Sequence, residues 1–230
     1  MKKNENKALK LEELRAKYGD TVVMGVPAEL VSDVLKKTYT PKEHANIVDI
    51  QETGRLTTPI HIAINDNLKP MLRCEAELDP SFKQVIPYVV LYYEDKIFCT
   101  HRLNGGDARL AGCYSIGTGG HIDDNEDMYK SMYRELYEEV GVVPFDMIGY
   151  GINGYILDNS SAVNSVHLGV VISMKLSRSD IRCLESDKLA GEWIDAKTLK
   201  KLYDNDKLES WSKIVVDNVI FKKDDSNGKR

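Results

Sequence analysis

The stretch GHIDDNEDMYKSMYRELYEEVGV, residues 120 to 142, constrains this chain more than any other. It carries Glu135, Glu138 and Glu139 beside Arg134, at spacings that share one helix face. Like charges so placed destabilise a helix by roughly 0.2–0.5 kcal/mol per pair, so something positive is expected opposite them. Met128, Met132, Leu136 and Val140 repeat every fourth residue, which docks the helix on a core and holds the carboxylate face at a fixed angle. Gly141 is placed to end the helix in the left-handed conformation. Just ahead lies GTGGHID, whose closely set glycines let backbone groups approach a ligand. A strand, a glycine loop and an acidic helix face together suit a hard divalent cation, Mg2+ or Mn2+, and the phosphate it carries.

The rest of the chain supplies the frame. Its 230 residues are long enough for a full core, and a net charge of −5 gives no reason to expect a nucleic-acid polymer or an anionic membrane as partner. The longest apolar run, VIPYVVLYY, is too short for a bilayer span, and the N-terminus lacks a secretory apolar core, so a cytoplasmic location is expected. Cys74, Cys99, Cys113 and Cys183 have neither zinc nor disulfide spacing and read as reduced, mostly buried thiols. Residues 5–18 and 28–39 read as helices, 21–27 as a strand, and PIHIAI at 59–64 as a half-buried strand. QVIPYVVLYYEDKIFCTHRL reads as two strands around a tight turn, MIGYGINGYIL and VNSVHLGVVISMKL as two more, and AKTLKKLY and WSKIVVDNVIF as closing helices. The order predicts an α+β fold, an α/β/α sandwich with helices on a mixed sheet. Three parts are expected: an N-terminal α/β accessory segment over 1–80, a core over 81–221 and a disordered tail over 222–230.

The same stretch resembles the signature of the Nudix (MutT-type) hydrolases, G-x5-E-x7-R-E-U-x-E-E-x-G-U with U aliphatic. Gly120, Glu126, Arg134, Glu135, Leu136, Glu138, Glu139, Gly141 and Val142 meet every position. Chance agreement at the seven non-aliphatic positions is roughly 10⁻⁹ per starting point. The strand and helix order over 84–221 is also similar to that fold. Further stretches resemble a bacterial subgroup of predicted MutT-type phosphoesterases with an extra N-terminal segment.

The resemblance implies a hydrolase that cleaves the diphosphate linkage of a nucleoside diphosphate joined to another moiety. It implies Glu135, Glu138 and Glu139 as metal ligands with the Gly119 carbonyl, Arg134 as the group orienting Glu135, and Glu126 and Gly141 as structural members of the motif. A general base is expected on the loop LESDKLAGEW, at Glu185 or Asp187. Substrate contacts are expected from Gly120, His121, Arg102 and Arg109. His167, Trp193 and Trp211 read as core residues. Thr118 departs from the family, many of whose members have proline there, which weakens any substrate assignment by analogy. Two rivals stand beside the hydrolase. An isopentenyl-diphosphate-type isomerase would need a cysteine just ahead of the box, whereas the nearest thiol is Cys113. A non-catalytic Nudix-fold sensor or regulator would have less need of the full set of carboxylates. The N-terminal segment, with a strand and an amphipathic helix needing a surface to bury against, is expected to form a homodimer and to shape the substrate site.

Overall fold

The computed structural model describes residues 2–36, 57–103, 112–184 and 186–220. Arg109, Glu185 and the 222–230 tail lie outside these residues.

The chain opens with helix α1 (Lys2–Tyr18), strand β1 (Val22–Pro27), and helices α2 (Ala28–Lys36) and α3 (Thr57–Asp66). Strand β2 (Lys69–Leu72) and the one-turn helix α4 (Arg73–Ala76) lead into the long strand β3 (Phe82–Tyr93) and its hairpin partner β4 (Lys96–Arg102). Short strands β5 (Tyr114–Ser115) and β6 (Gly117–Thr118) precede helix α5 (Met128–Val140). Strands β7 (Met147–Ile156), β8 (His167–Leu176) and β9 (Leu189–Ile194) follow, then helices α6 (Ala196–Asp204) and α7 (Ser210–Val215).

The sheet is mixed. β3 runs parallel to β8 from Gln84 opposite His167 to Tyr92 opposite Lys175, while its pairings with β1, β4 and β6 are antiparallel. Side chains alternate across a strand, so β3 serves two cores at once. Val85, Val89 and Leu91 pack with Met128, Met132, Leu136 and Val140 of α5, and with Val31 and Ile64 of α2 and α3. Tyr88 and Val90 pack on the opposite side with Leu199 of α6 and Val215 of α7. This is the expected α/β/α sandwich on a mixed sheet.

Two expectations change. PIHIAI is helix, not strand: α3 buries His61 and Ile64, three apart, and leaves Ile62 48% exposed. The reason is tertiary. As a helix the segment aims His61 at the Tyr129 hydroxyl, 2.7 Å away, and lets the Asn65 side-chain oxygen accept the Met128 N–H of α5. The N-terminal strand, for its part, finds its burial surface inside the chain. β1 pairs with Phe82, Lys83 and Gln84 of β3 on one side and with β2 on the other, and Val23 packs against Ala76 and Phe82. The four cysteines are free, and three of them are buried.

Candidate active site

Helix α5 presents the acidic face and its ends are fixed. Asp127 caps it, its carboxylate accepting the Tyr129 and Lys130 N–H groups at 2.9 and 2.8 Å. Gly141 ends it at φ 67°, where its N–H reaches the Tyr137 carbonyl. Met128, Met132, Leu136 and Val140 are buried to within a few per cent, so the predicted apolar stripe faces inward.

Arg134 is the hub. Its Nε and Nη2 donate to the two Glu126 carboxylate oxygens at 2.9 Å each, and its Nη1 donates to Glu135 at 2.7 Å and to Glu138 at 3.3 Å. Nη2 also reaches the His121 carbonyl at 3.0 Å, and Glu126 in turn accepts the Asp123 N–H. One guanidinium therefore meets two of the three crowded carboxylates, Glu135 and Glu138, and ties the glycine loop to the helix through Glu126 and the His121 carbonyl.

The loop leaves no room for side chains. A Cβ on Gly119, whose φ is 155°, would fall 1.9 Å from the Pro87 carbonyl oxygen, and one on Gly120 would fall 2.4 Å from a Glu135 carboxylate oxygen. Glu135 is thus pressed against the loop. Burial raises its pKa, outweighing the opposing pull of Arg134, so an adjacent cation would help to keep it ionised. The Gly119 carbonyl and the Glu135, Glu138 and Glu139 carboxylates are oxygen donors of the kind a hard divalent ion takes, but the three carboxylates do not all lie within 4.8 Å of one another. Glu138 is exposed and leans on Arg134, whereas Glu139 turns to the cleft beside the loop.

That cleft has a volume of about 620 Å³. Its walls include Ile86 and Tyr88 of β3, Arg102 of β4, the loop from Gly117 to His121, Glu139, and Trp211 and Lys213 of α7. Glu209 caps α7, accepting the Trp211 and Ser212 N–H groups and the Tyr88 hydroxyl at 2.7, 2.6 and 2.7 Å. Burial, then the Glu209 charge, drives the Tyr88 pKa well up, so this phenol stays a neutral donor. His121 is half-buried in the cleft wall, its Nε2 3.2 Å from that of the buried His167. Burial first, then the Arg73 charge, holds His121 well below the ordinary histidine value, and burial lowers His167 as well.

Of the residues singled out in the sequence, the cleft gathers Gly119, Gly120, His121, Arg102 and Glu139, with Glu135 directly behind Gly120. Asp187 is exposed and is not among the cleft-lining residues, although its loop touches α5 where the Leu184 N–H meets the Glu139 carbonyl at 2.8 Å. His101 stacks on Tyr114. Tyr88, Glu209, His167 and Trp211 belong to the cleft and were not recognisable as such, because a strand tyrosine, a helix cap and two aromatic rings carry no spacing of their own.

No protein-family model matches the chain. Protein YmaB of Bacillus subtilis is 31% identical over 203 residues, spanning 84% of this chain and 98% of YmaB. Among solved structures, Tm1382, a candidate Nudix hydrolase, superposes with a TM-score of 0.70 at 25% identity, over 87% of this chain and 99% of its own. The chain belongs to the Nudix hydrolase family. The Tm1382 match is larger than residues 81–230 alone can supply, so it takes in part of the N-terminal segment as well. In Nudix terms α5 is the signature helix, and Gly119 and Gly120 are the loop before it.

Proposed function

We propose that this Nudix protein is a pyrophosphohydrolase that uses Mg2+ or Mn2+ to split a nucleoside diphosphate derivative at its diphosphate linkage. The observation that carries the reading is the closure of Gly120 onto the Glu135 carboxylate beside a cleft that Glu139 also lines. Glu135, Glu138, Glu139 and the Gly119 carbonyl would hold the cation. When bound, it would neutralise charge on the leaving oxygen and make hydroxide available near neutral pH. Arg134 holds Glu135 in place throughout. Gly120, too small to block the approach, lets a phosphate lie against the loop, and Arg102 on the cleft wall supplies a positive charge for it, as Arg109 would. His121 borders the same space. Trp211 offers an aromatic face within the cleft for the non-phosphate part of the substrate. Glu185 or Asp187 would take the proton from the attacking water.

No helix among the described residues is long and apolar enough to cross a membrane. We place the protein in the cytoplasm, acting on a small molecule and not on a nucleic-acid polymer or a membrane. We also propose a homodimer. β7 pairs only with β8 among the described strands; Ile148 and Tyr150 on it are exposed, and so is Phe145 in the turn just ahead of it, at 97%.

The test is product release across a panel of nucleoside diphosphate derivatives with Mg2+ and Mn2+, read by mass spectrometry, for wild type and Glu139→Gln. Metal-dependent cleavage that falls at least a hundredfold in the variant is expected. Ligand binding that is independent of metal, with no turnover across the panel, would instead make the protein a Nudix-fold sensor.

A further inference from the structure

Away from the signature helix, one cluster brings three metal-ligating side chains together from three parts of the chain. Glu77 follows α4 in the N-terminal segment, His121 follows the glycine loop, and His167 opens β8. One ligand atom from each lies within 4.8 Å of the other two, the only such trio among the described residues. We propose that Glu77, His121 and His167 form a second metal site, for a borderline-soft divalent ion of the Zn2+ type, that clasps the N-terminal segment to the catalytic loop.

The His167 tautomer turns a lone pair toward the cluster. His167 Nδ1 lies 2.7 Å from the Val163 carbonyl, which can only accept, so that nitrogen carries the proton and Nε2 presents its lone pair. A carbonyl on the far ring nitrogen is the usual way a metal-binding imidazole is held. The Nε2 atoms of His121 and His167 stand 3.2 Å apart, where in the metal-free protein the His121 Nε2–H donates to the His167 lone pair, so an ion would take the place of that proton. Two nitrogens at about 2.0–2.1 Å from a tetrahedral Zn2+ are about 3.3 Å apart, so the imidazoles need hardly move. An anion would require N–H groups on both facing nitrogens, where the two protons would collide. The carboxylate does have to swing inward, leaving Arg73, whose Nε is 3.6 Å away. Arg73 and Lys83 are the opposing charges that the Glu77 carboxylate must offset.

A separate observation marks the same place. Gln84 is fully buried with neither side-chain amide atom hydrogen-bonded. Strand alternation puts it on the cleft face with Ile86 and Tyr88, and its register partner on β8 is His167 itself. Buried amides are seldom left unpaired, and an ion bringing a fourth, aqueous ligand would supply the missing partner. Two histidines, one glutamate and an open position are a donor set that suits Zn2+ and not Mg2+.

The experiment uses the tag-free full chain, dialysed against Co2+ or Zn2+ with Mg2+ in large excess to satisfy the signature carboxylates. One equivalent of Zn2+ retained per chain is expected, together with the intense visible absorption of four-coordinate Co2+ and a metal-dependent rise in melting temperature. Affinity should fall at least tenfold in His167→Gln and in Glu77→Gln, and should persist in the Glu138→Gln, Glu139→Gln double variant. Glu77 lies outside the sheet, so its variant reports even if His167→Gln folds poorly. Retention of no Zn2+ by wild type would overturn the proposal. So would equal binding by Glu77→Gln, or loss of binding in the double variant. Since the readouts are metal content, absorption and melting, they stand whether or not the protein is a hydrolase.

Discussion

At the scale of single residues, Arg134 does what the sequence could only require of it. Three carboxylates crowded on one helix face demand a nearby positive charge, and the guanidinium meets two of them, Glu135 and Glu138, together with Glu126 from the loop ahead of the helix. Its hydrogen bonds are the main reason that the Glu126 pKa lies below the ordinary glutamate value of 4.5. For a carboxyl group lowered by folding, the stabilisation is complete above the unfolded value and is lost as pH falls through the folded one. Arg134→Lys, which keeps the charge but not the fork, should therefore raise the midpoint of acid unfolding, followed by circular dichroism. It should also lower turnover about 10–100-fold, because Glu135 and the His121 carbonyl lose a common anchor. An unchanged acid midpoint would show that the charge alone sufficed.

At the scale of elements, the two ends of α5 are set by Asp127 and Gly141, and the cap is separable from the chemistry. Asp127→Ala should cost about 1 kcal/mol, a fall in melting temperature of about 2–4 °C, with turnover nearly unchanged. A collapse of turnover at equal stability would mean that the cap also aims the carboxylates. This helix was legible in advance because its apolar period and acidic face coincide within thirteen residues and its stop signal, Gly141, follows directly. β3, β4, β7 and β8 were legible for the same kind of reason, as runs of β-branched and aromatic residues set off by turns. α3 was not. Its I-H-I-A-I run alternates like a strand, and only the partners on α5, Tyr129 and the Met128 N–H, make the helical choice the better one. The cleft was legible along the glycine loop and illegible along α7. Glu209 and Trp211 acquire their places through contacts with Tyr88 and His167, more than forty residues away in sequence.

At the scale of the whole molecule, the N-terminal segment is built into the sheet and into the site. β1 pairs with the start of β3, and its Met24 N–H donates to the Ile122 carbonyl at 2.8 Å, one residue past His121. Helix α1 is more peripheral, held by Arg73 over the Tyr18 ring and by a loose Arg15–Glu75 pair. Removing residues 1–18 should leave a cooperatively melting protein a few degrees less stable. Removing residues 1–80 should abolish cooperative melting, since it uncovers Phe82 and strips β3 of an edge partner. A sharp transition in the longer truncation would show that residues 81–230 fold independently.

The double duty of β3 has a consequence for how this protein can change. One of its faces builds the support of the acidic helix and the other builds the cleft, so the strand is read in a frame of two. Point substitutions alter one chamber at a time, and a deeper or narrower cleft can be reached by changing Ile86 or Tyr88 while Val85 and Val89 stand. Gain or loss of one residue within the strand swaps the two inventories from there onward, sending valines into the cleft and a tyrosine under the helix. Variation in this family of shapes is therefore expected to accumulate in β3 as replacements and in the flanking loops as changes of length.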